Sequence, residues 1–291
     1  MIDVNGLRGD FVLSADLRFD LAPIPATFEA RLRITPQTAA DYRDNALITV
    51  NEMPFRIIKS EPSPNAGGVQ GSSPIAAVSI VALPEGCQAV ARPLTRAVVF
   101  RNAGLAAIYR ACGATVPLDG DFVVGRFSCF IGSVPTYRIA QVLQEESAVV
   151  TWRKGRLSAT RLRELFQQQP LDALDIESAD DVYSGFLEGD QIPAYFSVGP
   201  DGAFVQGQRS GAPQAMQYSP RKNVRELNAM NRVMVRRKVV SCVLNPTIRA
   251  GDLFDVRGTP LAVMTAVHHM ENDTDGQGMR QLSKFWLGAL S

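Results

Sequence analysis

The chain has 291 residues, 46% of them hydrophobic, and its 30 Lys and Arg residues are balanced by 29 Asp and Glu. This apolar content excludes a disordered or fibrous chain, and the near-zero net charge excludes a general nucleic-acid binder, whose affinity needs excess basic charge. No apolar run reaches the roughly 18 residues that a bilayer span needs. We therefore expect no membrane span, and the first ten residues carry no readable export signal.

The first hundred residues predict an antiparallel sheet. Apolar and charged side chains alternate along Thr27–Ile34, so that Phe28 and Leu32 face one side and Glu29 the other. This period of two is typical of a strand with one buried and one solvated face. Pro, Gly and Ser without periodicity predict a mobile surface loop at 61–74. We expect strands at 16–21, 27–34, 46–50, 55–59 and 75–83.

The middle of the chain has a mixed pattern. Apolar residues three and four positions apart predict a helix from its cap, Asn102, to Gly113, and a second helix from Pro135 to Glu146. Further elements are expected as a strand pair near 122–131, a strand at 148–152, a turn at 154–155 and a short helix near 162–166. This order predicts a small α/β insert.

The last third returns to sheet. Pro200, Asp201 and Gly202 predict a hairpin turn between strands at 192–198 and 203–208. A polar loop is expected at 209–220, with further strands at 233–244, 253–256, 261–268 and 279–287. The chain is therefore predicted to be mainly β with an α/β insert.

Charge is distributed unevenly along the chain. Residues 171–190 hold seven acidic residues and no basic one, whereas residues 221–238 hold seven basic residues and only Glu226 as an acid. One interpretation is two solvated surfaces, and the other is that the two stretches meet across a subunit boundary and set the docking register. No aromatic residues interleave with the basic stretch, which disfavours nucleic-acid binding.

The nucleophilic and imidazole side chains do not form a recognisable catalytic pattern. His268 and His269 are adjacent, and neighbours on a strand point to opposite faces, so they cannot share one metal ion. No G-x-S-x-G nucleophile motif is present. The four cysteines are scattered without a C-x-x-C pair, which predicts buried reduced thiols and a reducing compartment rather than a zinc site.

Three other motifs have some features of a ligand or catalytic site. Ala66–Gly71 is rich in glycine but lacks the lysine of a phosphate-binding loop. Glu271–Gly276 has the spacing of a calcium loop, but Leu282 occupies the position that needs a bidentate glutamate, so a tight turn is expected. Glu145 and Glu146 are expected to be a solvated helix end. The sequence thus predicts no catalytic, cofactor-binding or metal-binding residue and no cofactor, although a Cys- or His-dependent enzyme stays open.

Two segments carry a family resemblance. Asn245–Asp252 lead into a strand, Arg257–Pro260 form a turn, and a strand ending in His268 and His269, an acidic Gly-containing turn and a final strand follow. This order resembles the C-terminal barrel of tailed-phage baseplate hub proteins, which are trimeric tail-tip proteins. The block Val134–Gly155 resembles the small α/β insert of the same family, while residues 1–100 resemble its first barrel in architecture only.

The resemblance implies two β-barrel-like domains at 1–100 and 176–291, separated by a small α/β insert at 101–175. It implies a structural, non-enzymatic virion protein, made in the bacterial host cytoplasm, that forms a homotrimeric pseudo-sixfold ring. The ring would join the tail tube above to the central spike below and contact other baseplate proteins. Two alternatives stay open: a hexameric tube-end or distal tail adaptor, and a cell-wall-active hydrolase of the tail tip.

Overall fold

A computed structural model describes residues 1–63, 68–70, 73–171, 180–181, 193–208, 215–272 and 278–290. In chain order the strands are β1 (Val12–Asp20), β2 (Ala26–Ile34), β3 (Leu47–Val50), β4 (Met53–Pro62), β5 (Gly68–Gln70), β6 (Ser73–Pro84), β7 (Val98–Gly104), β8 (Leu118–Asp119), β9 (Val123–Cys129), β10 (Ala148–Arg153), β11 (Arg156–Arg161), β12 (Asp180–Asp181), β13 (Ala194–Val198), β14 (Phe204–Gln206), β15 (Met216–Tyr218), β16 (Met234–Val243), β17 (Leu253–Val256), β18 (Thr259–Asn272) and β19 (Met279–Leu290). The helices are α1 (Leu105–Ala111), α2 (Pro135–Glu145), α3 (Leu162–Leu165) and α4 (Val224–Met230). The predicted fold class, mainly β with a small α/β insert, is confirmed.

One large antiparallel sheet organises the molecule. Its strands follow the order β12-β16-β19-β18-β1-β2-β6-β4-β3, with β17 added on β18 and β5 on β6. The pairing of β1 with β18, in which Leu17 lies opposite His268, joins the N-terminal and C-terminal parts of the chain. Both ends of the sequence therefore contribute to the same sheet.

Strict alternation of side chains builds this sheet. On β2, Phe28 and Leu32 are fully buried whereas Glu29 and Arg31 are exposed, as the period of two predicts. The ring of Phe28 lies 6.1 Å from that of Phe55 on β4, so the two strands share one apolar layer. Burying such a side chain stabilises the fold by about 1.5–3 kcal/mol.

The α/β insert lies between the two groups of sheet strands in the sequence. Helix α1 buries Leu105, Ile108 and Tyr109, and the Tyr109 hydroxyl donates a 2.9 Å hydrogen bond to the Pro23 carbonyl between β1 and β2. A helix occurs within the predicted range, but its predicted cap is wrong. Asn102 lies within β7 at a φ of 50°, and Gly104 occupies the cap position.

The predicted strand pair near 122–131 is also wrong. Only β9 occurs there, and its partner is β7, which lies before α1 in the chain. The predicted hairpin around Lys154 and Gly155 is confirmed: both residues have positive φ, and they connect β10 to β11. The strand β8 pairs with β11 in parallel.

A small satellite unit lies after the insert in the chain. In it β13 pairs with β14 around Gly202, which has a φ of 81°, so the predicted hairpin turn is confirmed. The strand β15, which pairs in parallel with β13, replaces part of the predicted polar loop, and the helix α4 lies beyond that loop. Asn223 caps α4 by accepting from the Glu226 amide, while the Glu226 side chain accepts from the Asn223 amide. This N-terminal capping box was a readable signal in the sequence.

Several expectations meet the limits of the described residues. The loop expected at 61–74 is partly wrong, because β4 extends to Pro62, Gly68–Gln70 form β5 and β6 begins at Ser73. The rest of that loop, most of the acidic stretch at 171–190 and the turn at 273–276 lie outside the described residues. Among the helices of the described chain, none is long and apolar enough to cross a membrane.

Candidate functional site

His268 lies in the interior of the large sheet. Its side chain is fully buried, its Nε2 is 3.0 Å from the Ile248 carbonyl and its Nδ1 is 2.8 Å from the Ser283 hydroxyl. Because a carbonyl can only accept, the Nε2 carries the proton and the Nδ1 accepts from the serine. Burial, assisted by the charge of Arg249, lowers the pKa of His268 to about 4.

This pair of residues resembles a nucleophilic dyad only in composition. The Ser283 oxygen also accepts from the Asn245 amide at 2.8 Å, and Ser283 is itself fully buried. The rings of Phe19 and Phe285 pack edge-on against the imidazole at 5.9 and 6.0 Å. A substrate has no access to the serine in this arrangement, and the hydrogen bonds among His268, Ser283, the Asn245 amide and the Ile248 carbonyl instead tie β18, β19 and the segment before β17 together.

His269 lies on the opposite face of β18, as the alternation predicts. Its Nδ1 is 2.8 Å from a carboxylate oxygen of Asp16, and its Nε2 is 3.6 Å from a carboxylate oxygen of Glu271. The two histidines therefore lie on opposite faces of β18 and have different hydrogen-bond partners. Within the described residues, no group of three or more His, Cys, Asp or Glu side chains is arranged to hold a metal ion.

The cysteines are poor nucleophiles where they lie. All four are free, and Cys87, Cys112 and Cys129 are buried. Burial raises the pKa of Cys87 and of Cys112 to about 12, so both thiols stay protonated at neutral pH. Cys242 is half-buried, and burial raises its pKa as well.

The expectation that Glu145 and Glu146 form a solvated helix end is wrong. Glu146 is only 5% exposed, and its carboxylate accepts two hydrogen bonds from Arg225, at 2.7 and 2.8 Å, and one from Arg161 at 3.2 Å. Glu145 pairs with Lys222 at 2.5 Å. Since Lys222 lies just before α4 and Arg225 lies on it, the acidic end of α2 is the attachment point of the satellite unit.

The electrostatics of the two neighbouring carboxylates differ. Burial disfavours the charge of Glu146, but its hydrogen bonds and proximity to Arg225 and Arg161 outweigh this penalty and lower its pKa. For Glu145, burial outweighs the single Lys222 and raises the pKa. The cluster therefore holds one firmly ionised carboxylate with two guanidinium partners.

The acidic and basic stretches meet partly within one chain. Asp180 and Asp181 form β12, which pairs with β16 opposite Val239 and Lys238. For these residues the strand ladder is intramolecular, so the interpretation that the two stretches meet across a subunit boundary does not apply to them. Two other basic residues, Lys222 and Arg225, are engaged by α2 and the residue after it in the same chain.

Two surfaces of the described chain expose large apolar side chains to solvent. The first, which we call the arginine ribbon, is the two-stranded sheet β7–β9 with the turn after β9. It places Arg101 directly opposite Arg126 and exposes Val99, Phe130 and Ile131 by more than 60% each. The described residues contain no ion-pair partner for either arginine, and sequence reasoning missed this surface because it depends on the β7–β9 pairing.

The second surface is the outer face of the satellite sheet, which we call the aromatic face. The Phe196 ring stacks on Phe204 at 5.1 Å and contacts Tyr218 at 5.3 Å. Phe204 and Tyr218 are more than half exposed, whereas Tyr195 on the inner face packs against Leu227 of α4. Because β13 carries aromatic residues on both faces, its sequence does not show which face is buried.

Comparison with known proteins identifies the class of proteins that share this fold. Neither a family model nor a curated protein sequence matches the chain. Among solved structures, matches over nearly the whole length of both chains include a prophage tail protein and a bacterial tail protein. The chain therefore has the fold of phage tail proteins.

Three matches illustrate the range. A 43 kDa tail protein of a Shewanella oneidensis prophage is 12% identical, with a TM-score of 0.62 and coverage of 98% of this chain and 97% of that one. A tail protein of Neisseria meningitidis is 9% identical, with a TM-score of 0.62 and coverage of 99% and 95%. A chain of a Francisella PdpA–VgrG complex is 7% identical, with a TM-score of 0.53 and coverage of 99% of this chain and 57% of that one.

Proposed function

We propose that this protein is a structural subunit of a phage or phage-like tail, and specifically a hub of the baseplate or tail tip. The observation that carries the proposal is the fold match, which extends over nearly the full length of two tail proteins as well as of this chain. A match of one shared domain would leave the rest of the chain unexplained. Here the insert and both groups of sheet strands are included.

The assembly we propose is a homotrimer that closes into a pseudo-sixfold ring. Each subunit contributes two β-rich parts, 1–100 and 176–291, which are joined in the large sheet by the β1–β18 pairing, with the α/β part 101–175 between them in the sequence. Three such subunits give six similar positions, which suits a sixfold tail tube on one side and a threefold spike on the other. The tube, the spike and other baseplate proteins are the proposed partners, and the virion tail tip is the proposed location.

The proposal assigns no catalytic step, cofactor or metal to the chain. It is supported by the buried and mutually satisfied state of His268 and Ser283, and by the protonated, buried thiols of Cys87 and Cys112. The exposed apolar surfaces are the kind of feature that marks contact with other proteins. A ring subunit needs such surfaces, because every copy must contact two neighbours.

The stoichiometry of the purified chain tests this proposal. Sedimentation equilibrium over a wide range of concentrations should give a trimer, and negative-stain class averages should show a closed ring with threefold symmetry. A hexamer would contradict the hub and favour the tube-end adaptor. A chain that stays monomeric at every concentration would contradict the self-closing ring itself.

A further inference from the structure

We propose that the arginine ribbon docks onto a second copy of this chain, against an acidic corner formed by Asp41 and Asp44, which line one cleft. This inference rests on the proposed ring, since it names the two surfaces that would meet between neighbouring subunits. The contact is heterologous: the ribbon of one copy meets the corner of the next. Such head-to-tail contacts are what a cyclic trimer requires.

The ribbon places two positive charges opposite each other without a carboxylate partner among the described residues. Arg101 and Arg126 lie directly opposite each other on β7 and β9, and both are exposed. Like charges in this position destabilise a strand pair. Because the described residues supply no carboxylate to either guanidinium, an acidic partner would remove a repulsion and add charge-assisted hydrogen bonds.

The surroundings of the arginines have the composition of a protein interface. Val99 is 62% exposed, Phe130 63%, Ile131 69% and Tyr137, on the first turn of α2, 74%. Aromatic residues and arginine dominate the energetics of protein interfaces. Both outer edges of this sheet also lack a strand partner among the described residues.

The exposed turn of the ribbon is held in place before any partner arrives. The Gly132 amide donates to the Leu94 carbonyl at 2.8 Å, and the Leu94 amide donates to the Ser133 carbonyl at 3.0 Å. Arg138 of α2 donates to the Ser128 carbonyl at 2.9 Å. Phe130 and Ile131 are therefore presented on a fixed backbone, which lowers the entropy cost of binding.

The acidic corner is complementary in charge and in apolar character. Its two carboxylates are exposed and form no ion pair within the described residues, and Arg43 is the one base among the residues that line the same cleft. Asp41 and Asp44 line this open cleft of about 450 Å³ together with Leu47, whose side chain is 52% exposed. Asn5 lines the same cleft and accepts from the Thr49 amide, which fixes the N-terminal segment against β3.

A second copy is the occupant that these charges favour. Arg101 and Arg126 on one surface, and Asp41 and Asp44 on another, form no ion pair among the described residues, so two copies of the same chain can satisfy both sets of charges. Apolar side chains flank both charged groups: Val99 and Phe130 on the ribbon, and Leu47 at the corner. Complementary charge fixes register and partner choice in such contacts.

A charge-swap series tests the pairing. We compare the ribbon variant Arg101→Glu/Arg126→Glu, the corner variant Asp41→Lys/Asp44→Lys and the four-substitution combination by sedimentation equilibrium. The matched control, Arg110→Glu/Arg163→Glu, makes the same charge change at two exposed positions on α1 and α3. Melting temperatures of all variants should stay close to that of the original chain, since every substituted side chain is exposed.

Each reversal alone should weaken self-association at least tenfold, and the combination should recover most of it because opposite charges again face each other. The control should associate normally. Loss of association in both double variants without recovery in the combination would show that the two surfaces do not touch. A normal trimer from the ribbon variant would overturn this interface but not the proposed hub function. If the original chain is monomeric, the proposed hub function itself is contradicted.

Discussion

The large sheet and the satellite unit are stabilised in different ways. The sheet buries a continuous apolar layer that includes Phe28, Phe55 and Phe285, and even its buried histidine is neutral and satisfied. The satellite has a small core of Tyr195, Leu227 and Met230, and it is held to the end of α2 by ion pairs. We therefore expect the sheet to be the most stable part of the molecule and the satellite to open locally without unfolding the rest.

The largest expected effect comes from the sheet core. Substitution Phe28→Ala removes a fully buried ring and leaves a cavity, which should lower the free energy of unfolding by about 3–5 kcal/mol. Urea denaturation followed by fluorescence measures this change. Phe204→Ala on the aromatic face is the matched control, because that ring is 60% exposed and its loss should cost under about 1 kcal/mol. Equal losses of unfolding free energy at both sites would contradict the claim that apolar burial stabilises the sheet more than the satellite unit.

The second effect is a pH dependence that belongs to the sheet. The pKa of His268 is lowered to about 4 in the folded chain from an ordinary value of 6.5, so the unfolded chain binds a proton first as the pH falls. The stability due to neutral His268 is complete above pH 6.5 and is lost as the pH falls towards 4. The full loss amounts to about 3 kcal/mol.

Denaturation curves of the original chain and of His268→Gln at several pH values between about 4 and 7 measure this contribution. The glutamine variant should be less stable at neutral pH but should show a shallower decline with acid. His269→Gln is the matched control, since that imidazole is only half-buried beside Asp16 and Glu271. A decline that is just as steep in His268→Gln would contradict the assignment.

The smallest effect concerns the satellite attachment. Substitution Glu146→Gln leaves Arg161 and Arg225 without their carboxylate, and because Arg225 is largely exposed we expect a local cost of only about 1–2 kcal/mol. Hydrogen exchange should speed up in β13, β15 and α4 and stay unchanged in β1 and β18. Glu164→Gln, at an exposed carboxylate, should alter neither region. Faster exchange across the large sheet would show that the two regions unfold together.

Sequence patterns predicted the sheet well because alternation reports burial directly. Phe28 and Leu32 face the core while Glu29 is exposed, as predicted. The helix α4 was missed although Asn223 and Glu226 form a capping box, since basic residues on either side obscured its short apolar face. Strand partners could not be predicted where they are distant in the chain, and the β1–β18 and β7–β9 pairings are both of this kind.

The candidate sites also depend on contacts between residues that are distant in the sequence. Glu146 reads as a solvated helix end because its partners Arg161 and Arg225 are remote in sequence and meet it only in the folded chain. The opposition of Arg101 and Arg126 likewise depends on a register that no local pattern specifies. Long-range contacts therefore decide the candidate sites, whereas short-range periodicity decides most of the strands.

The central claim is that this chain is a structural part of a tail tip, and its position in an assembled particle tests that most directly. Antibodies against the chain, conjugated to gold and imaged on purified tail particles by electron microscopy, should label one end of each tail. A cryo-electron density at that end should accommodate three copies in a ring. Particles without label, or label distributed along the whole tail, would contradict the account.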